Sequence, residues 1–247
     1  MNRRHAFEAI GHRGCEGHAP GNSMDAINVA IALGIDRIEV DVRQTADGRL
    51  VLFHDASVNG VQVEAMTRDE LLAATSKDDR AIPFLEEALL ACKGKTRVQL
   101  ELKTPGMAGA VHSMVSQTGF PVHDLHVSSF DAGELAKARD EFGKEIVPVQ
   151  LVYLFGGIPN RLMTRRASRH GAGTISLKAK RVTATKVSWL HDRGFRVIAF
   201  GLGDARTSST GDVKRLYRDL VDAGLDGFTC AFPDIARNVA KQARDIP

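Results

Sequence analysis

Arg37-Ile38-Glu39-Val40-Asp41-Val42 alternates charged and apolar residues at every step. Side chains on an extended strand point to opposite faces in turn, so Ile38, Val40 and Val42 share one face while Glu39 and Asp41 share the other. On a solvated edge such a pattern is ordinary. In a barrel the same strand puts its apolar face against surrounding helices and its charged face inward, near the strand end. Val98–Leu102 repeats the pattern, with Glu101 and Lys103 opposed to Leu100 and Leu102.

The rest of the chain favours the barrel. β-like runs occur at Glu8–His12, Arg37–Val42, Val98–Leu102, Leu125–Ser129, Ile146–Val152, Thr174–Leu177, Arg196–Phe200 and Gly227–Cys230. Between them, apolar residues recur at helical spacing over Ser23–Leu33, Phe84–Ala91, Gly109–Thr118, Gly133–Phe142, Arg161–His170, Thr185–Asp192, Asp212–Ala223 and Ile235–Ala243. Asn22 or Ser23, Asp131 and Thr183 stand where N-caps are needed, and Pro233 opens the last helix. Eight strand-then-helix units in 247 residues, with no Pro/Gly/Ser-rich linker, predict a single α/β domain over residues 1–247, a (β/α)8 TIM barrel. A doubly wound open sheet is the competing architecture.

After Val42, Asp47-Gly48 predicts a hairpin that returns through Leu50–Phe53. Residues 56–81 then lack a strong strand. Thr67-Arg68-Asp69-Glu70 is a capping-box pattern that opens a short helix. This stretch reads as a small insertion over the barrel mouth.

Composition sets outer bounds. Hydrophobic residues make up 43% and charged residues 26%, enough for a large core and against wholesale disorder. A net charge of +3 suits an anionic substrate without demanding nucleic acid or membrane. The basic residues of Met1–Glu8 precede no apolar leader, and no apolar run approaches a membrane span. Three scattered cysteines, Cys15, Cys92 and Cys230, fit a reduced thiol set, so a cytoplasmic location is expected. The arginines of 161–169 read as a solvated helix face, and no nucleic-acid partner and no stable membrane insertion are expected. Oligomeric state is left open.

Four polar clusters stand at strand C-terminal ends, where barrel active sites form: Gly11-His12-Arg13-Gly14, Glu39-Val40-Asp41, His54-Asp55 and Glu101-Leu102-Lys103. Taken singly they are a turn, a solvated edge, an Asx-type turn and a surface ion pair. Their recurrence at one end of consecutive strands points to a common pocket. Glu39, Asp41 and Glu101 offer oxygen-only ligands, which suit a hard divalent cation, Mg²⁺ or Ca²⁺, better than zinc. Arg13 and Lys103 are suited to phosphoryl oxygens, and His12 and His54 to proton transfer on opposite sides of a phosphorus.

These residues resemble the glycerophosphodiester phosphodiesterase family from Ile10 to about Asp234. The resemblance rests on Gly11-His12-Arg13-Gly14, Ala19-Pro20, Asn22 and Gly34–Val42. It continues through Thr45-Ala46-Asp47-Gly48, His54-Asp55, Ile82–Glu87, Glu101-Leu102-Lys103, Ser128–Asp131 and Gly224–Gly227. It implies a (β/α)8 barrel that hydrolyses glycerophosphodiesters to an alcohol and glycerol 3-phosphate. It also implies a divalent metal on Glu39, Asp41 and Glu101, His12 and His54 as acid and base, and Arg13 and Lys103 on phosphate.

Three positions depart from the family. Its usual Pro-Glu-Asn-Thr is Pro20-Gly21-Asn22-Ser23 here, and its late Thr-Asp is Cys230-Ala231. A tryptophan strand, often Trp-Thr-Val-Asn, is Phe200-Gly201-Leu202-Gly203, leaving Phe200 as the aromatic wall for substrate. Two other functions compete. A phospholipase-D-like phosphodiesterase of lysophospholipid or sphingolipid predicts an exposed apolar rim near the insertion. A ligand-binding barrel without activity predicts a damaged metal set.

Overall fold

The computed structural model describes residues 7–76, 81–143, 150–202 and 210–244. Strands and helices alternate as expected: β1 (Glu8–Gly11), α1 (Met24–Ala32), β2 (Arg37–Gln44), β3 (Leu50–Leu52), β4 (Ser57–Val58), β5 (Val61–Gln62), α2 (Arg68–Thr75), α3 (Leu85–Cys92) and β6 (Arg97–Leu102). Then follow α4 (Ala108–Thr118), β7 (Leu125–Ser129), α5 (Ala132–Phe142), β8 (Gln150–Phe155), α6 (Arg161–Arg169), β9 (Thr174–Lys178), α7 (Ala184–His191), β10 (Arg196–Phe200), α8 (Thr210–Asp222), β11 (Gly227–Cys230) and α9 (Pro233–Arg244).

Parallel pairing runs β1-β11-β10-β9-β8-β7-β6-β2, and β2 pairs back onto β1. That last pairing closes an eight-stranded ring and rules out the open sheet. β3 lies antiparallel on β2, with Val42 opposite Leu52, which is the expected hairpin.

The alternation seen in the sequence sorts the side chains. Ile38, Val40, Val42, Leu100, Val127, Ile175, Val197 and Phe228 face outward into the main core, where they meet Ile27 and Leu89 of α1 and α3. Each such fully buried aliphatic side chain contributes about 1.5–3 kcal/mol. The opposite faces fill the barrel. One side of its interior is apolar, with Ile10, Val152, Leu154 and Ile198 packed together beside Phe200. The other side, along β2 and β6, carries Arg37, Glu39, Asp41, Gln99 and Glu101, all buried.

Capping agrees with the sequence. The side chains of Ser23, Thr67, Asp131 and Thr183 each accept an N-terminal backbone N–H, and Glu70 completes the box at Thr67. Ser23, rather than Asn22, is the first cap.

Two expectations need correction. The fifth barrel strand, expected over Ile146–Val152, runs on to Phe155 from Gln150, the first described residue of this stretch; residues 146–149 lie outside the described residues. The unbroken apolar run Leu151–Phe155 has the strand propensity to carry the element that far. The insertion also holds a small hairpin, β4–β5, around Asn59-Gly60, a two-residue turn signal. Val63, Met66 and Leu71 of the insertion pack on Val51, Phe53 and Ile82 in a separate small core. Residues 1–6, part of the stretch on which the leaderless reading rests, and residues 77–80 of the insertion lie outside the described residues. Among the described residues no helix is long and apolar enough to cross a membrane.

At the N-terminal end of the barrel Glu8 is buried against three arginines: Arg37 Nε at 3.1 Å, Arg97 Nη2 at 3.0 Å and Arg196 Nη1 at 3.0 Å. Burial would raise its pKa, but the charges of Arg37, Arg196 and Arg97 overcome that and hold the carboxyl down at about 2. A carboxyl depressed in the folded state stabilises the fold above its unfolded pKa, and this contribution disappears as pH falls through the folded value. The window here runs from about pH 4.5 down to 2. The depression corresponds to about 3 kcal/mol. Glu8→Gln is expected to lower unfolding free energy at pH 7 by about that amount, and by much less at pH 2. Urea titrations at the two pH values measure it; equal losses at both would refute the assignment.

Candidate active site

β2 and β6 lie side by side in a register that sets Glu39 opposite Gln99 and Asp41 opposite Glu101. Inward carboxylates are thereby forced together at the C-terminal ends of neighbouring strands. Ligand oxygens of Glu39, Asp41 and Glu101 all lie within 4.8 Å of one another. Glu39 Oε1 is buried without a hydrogen-bond partner among the described residues. Burial, then the charge of Asp41, push the Glu39 carboxyl up to about 8, and burial also raises Glu101. Burial would raise Asp41 as well, but Lys103, Arg13 and Asn22 hold it below its ordinary value. Three crowded carboxylates, one with an idle oxygen, fit a hard cation bound by oxygen.

The two cationic side chains expected on phosphate are held at the same carboxylates. Lys103 Nζ sits 3.0 Å from Asp41 Oδ1 and 2.6 Å from Glu101 Oε1. Arg13 Nε is 3.0 Å from Asp41 Oδ2, and Arg13 N–H donates to Glu39 Oε2 at 3.1 Å. The loop after β1 imposes this arrangement. A Cβ on Gly11 would meet Gly14 O at 1.9 Å, and Gly14 has φ +90° beside Ala26. Gly14 N–H then donates to Glu39 O at 3.0 Å, which pins the loop to β2.

His12 lies in this loop with Nε2 3.9 Å from Glu39 Oε2, while Nδ1 bonds Glu16 Oε1 at 2.5 Å. Burial pulls its pKa down, but the bond to Glu16 and the charges of Glu39 and Glu16 raise it overall. His54 reaches the mouth from β3. The preceding residue's N–H, Phe53 N–H, donates to Asp41 O at 3.0 Å, and His54 Nδ1 bonds Asp55 Oδ1 at 2.7 Å. Its carbonyl accepts from Arg43 Nε and Nη2, at 3.2 and 3.1 Å, and Arg43 Nη1 also bonds Glu64 of the insertion at 2.7 Å. Phe200 ends β10 and meets Phe130 edge to face, with centroids 5.3 Å apart, on the apolar side of the mouth.

Two residues at the site were missed as site residues in the sequence. Asn22, with φ +56°, donates from Nδ2 to Asp41 Oδ2 at 2.8 Å and accepts from Asp41 N–H at 3.1 Å. Its place after Pro20-Gly21 reads as a helix cap, and the cap is its neighbour. Glu16 carries no motif signal; only the i,i+4 geometry of the loop brings it to His12. Lys103, Ser129 and Phe130 line a cavity of about 190 Å³ beside Glu101. A larger cleft of about 750 Å³, against Arg161, Arg165 and Phe195, has no acid or histidine in its lining among the described residues.

The sequence pattern of the glycerophosphoryl diester phosphodiesterase family matches residues 12–235. The glycerophosphodiester phosphodiesterase of Bacillus altitudinis is 27% identical over 257 residues, covering 94% of this chain and 98% of that one. Among solved structures, an Oleispira antarctica phosphodiesterase in complex with the product sn-glycerol-3-phosphate superposes with a TM-score of 0.79. It is 23% identical and covers 96% of this chain and 97% of its own. Glycerophosphodiester phosphodiesterase from Agrobacterium tumefaciens gives a TM-score of 0.73 at 22% identity, covering 94% of this chain and 99% of its own.

Asn22 clamps Asp41 from both sides, so its removal leaves a buried N–H unsatisfied and a carboxylate short of one donor. Asn22→Ala is expected to cost about 3 kcal/mol, from the two bonds and from Cβ strain in the left-handed region. Asn22→Gly loses the same bonds without the strain and should cost less. Denaturation midpoints of the metal-free variants compare them; a Gly variant as weak as the Ala variant would assign the whole effect to the bonds.

Proposed function

The chain belongs to the glycerophosphoryl diester phosphodiesterase family, and we propose that it hydrolyses a glycerophosphodiester to an alcohol and glycerol 3-phosphate with a divalent cation as cofactor. The reading is carried by one observation. Three buried carboxylates within 4.8 Å share a barrel mouth with two cationic side chains and the Nε2 face of His12.

Glu39, Asp41 and Glu101 would hold Mg²⁺ or Ca²⁺, which when bound supplies positive charge against phosphoryl oxygens. Arg13 and Lys103 bind and orient the phosphoryl oxygens, Arg13 through its planar fork and Lys103 as a point charge. His12 and His54 act as acid and base: one accepts the proton of the attacking oxygen, the other donates to the departing alkoxide. Phe200, edge to face with Phe130, forms an apolar wall for the carbon part of the substrate. Residues 1–247 act as one domain, with the insertion beside the mouth, where Glu64 reaches Arg43. The three buried thiols suit the cytoplasm.

Lysophospholipid or sphingolipid cleavage is the second reading. The exposed apolar residues Phe130, Ile158 and Leu162 favour it, but they follow β7 and β8, and the insertion contributes only Val61 among its described residues.

Alcohol release from glycerophosphodiesters and lysolipids, measured with Mg²⁺, Ca²⁺ or chelator, tests the proposal. Chelation should abolish turnover, and His12→Ala and His54→Ala should each lower kcat at least about 100-fold without unfolding the protein. Turnover that survives chelation would overturn the cation's role. Glu39→Gln removes a buried acid with an idle oxygen, so the metal-free variant should melt no lower than the parent. It should also lose the rise in melting temperature that Mg²⁺ or Ca²⁺ gives the parent.

A further inference from the structure

Glu16 is used neither by the carboxylate set nor by the acid/base pair, yet it makes the shortest polar contact His12 has, 2.5 Å from Nδ1. The backbone builds that contact. Glu16 N–H donates to His12 O at 3.2 Å, closing one helical turn that sets the two side chains on the same side. Gly17 N–H donates to Ala231 O at 3.1 Å, and Asn22 N–H donates to Arg13 O at 2.9 Å, so both flanks of the turn are tied down. The second Glu16 oxygen lies 4.0 Å from Arg13 Nη1. An acceptor fixed at Nδ1 selects the imidazole tautomer and turns Nε2 toward Glu39 and the pocket.

Gly21 closes the other side of this corner. Gly21 is outside the left-handed region, so its backbone does not demand glycine. A Cβ there would approach Arg13 Cβ to 3.0 Å, Arg13 Cδ to 3.1 Å and Glu16 Cβ to 3.2 Å. A side chain at 21 would therefore enter the space that Arg13 and Glu16 fill, so the absence of one leaves room for the Glu16 side chain beside His12.

The geometry points to Glu16 as a positioning residue for His12, holding the proton on Nδ1 so that Nε2 works on the substrate. The kinetic consequence rests on the phosphodiester reading above; the geometry of the imidazole does not. Nitrogen NMR of the whole protein with labelled histidine, at a pH where the ring is neutral, should show His12 protonated on Nδ1. Glu16→Ala should move the proton toward Nε2 while the fold is kept, whereas the isosteric Glu16→Gln, whose amide oxygen still accepts from Nδ1–H, should largely keep it on Nδ1. With a glycerophosphodiester, Glu16→Ala should lose about 10- to 100-fold in kcat with KM within about threefold, a part of the full acid/base contribution. An unchanged His12 tautomer in folded Glu16→Ala, or an unchanged kcat in that variant, would overturn the assignment. Absence of turnover in the parent would instead defeat the functional reading, and the NMR result would still decide the role of Glu16.

Discussion

The constraint on which the site depends is charge burial: Asp41 and Glu101 sit side by side in the β2–β6 register, with Glu39 one layer below Asp41 on the same strand. Ionised carboxylates removed from water cost several kcal/mol each unless paired. The structure supplies partners from three elements. Lys103 bridges Asp41 and Glu101, Arg13 comes down from the β1 loop, and Asn22 closes on Asp41 from the start of α1. The β1 loop has its shape because of this demand. Its glycines let Arg13 and the Gly14 N–H come within reach of Glu39, while positive φ at Arg13 and Asn22 turns the chain back toward Asp41.

The opposite end of the barrel inverts the charges. Three arginines converge on Glu8, and Arg37 also donates to the carbonyls of Val98 and Asp124. His126, in the same layer, is pushed well below its ordinary pKa, first by burial and then by Arg37, and stays neutral. The barrel interior is thus basic at its base and acidic at its mouth, with a hydrophobic seam of Ile10, Val152, Leu154 and Ile198 along the other wall. Such a division keeps the acid cluster from being neutralised by the basic layer and leaves it to be satisfied from the loops. The closed ring makes both layers rigid, since every parallel strand is paired on two sides.

Much of this was legible because strand alternation is a local rule. Arg37–Val42 and Val98–Leu102 announced their inward carboxylates two residues at a time, and the helices announced theirs through apolar spacing and caps. The hairpin at Asp47-Gly48 was equally plain. What stayed hidden depends on backbone shape that spacing does not encode. Asn22 looked like a cap because its left-handed conformation, which turns its amide onto Asp41, is not a property of its type alone. Glu16 was invisible because its partner is set by a single turn in a loop. Lys103 and Arg13 were recognised as cations for a phosphate, but not as the counter-charges that hold the carboxylates, because the β2–β6 register decides that.

The two histidines are fixed by different means, and the difference explains why the insertion sits where it does. His12 belongs to a loop held by β2 and by the β11 end, so the barrel itself positions it. His54 is 42% exposed at the side chain and lies beyond β3, which pairs with β2 alone among the barrel strands. A side chain there needs a brace, and Arg43 provides one by donating twice to the His54 carbonyl. Arg43 is itself held by Glu64, which also accepts from Thr104 at the end of β6. Burial would raise the Glu64 carboxyl, but Thr104 and Arg43 lower it, so it keeps its charge for that bridge. Val63 and Met66, on either side of Glu64, are buried in the small core under Phe53, which anchors the bridge to the segment it supports. The insertion is therefore the structural counterweight to the β1 loop: one braces His54 from outside the barrel, the other holds His12 from its rim.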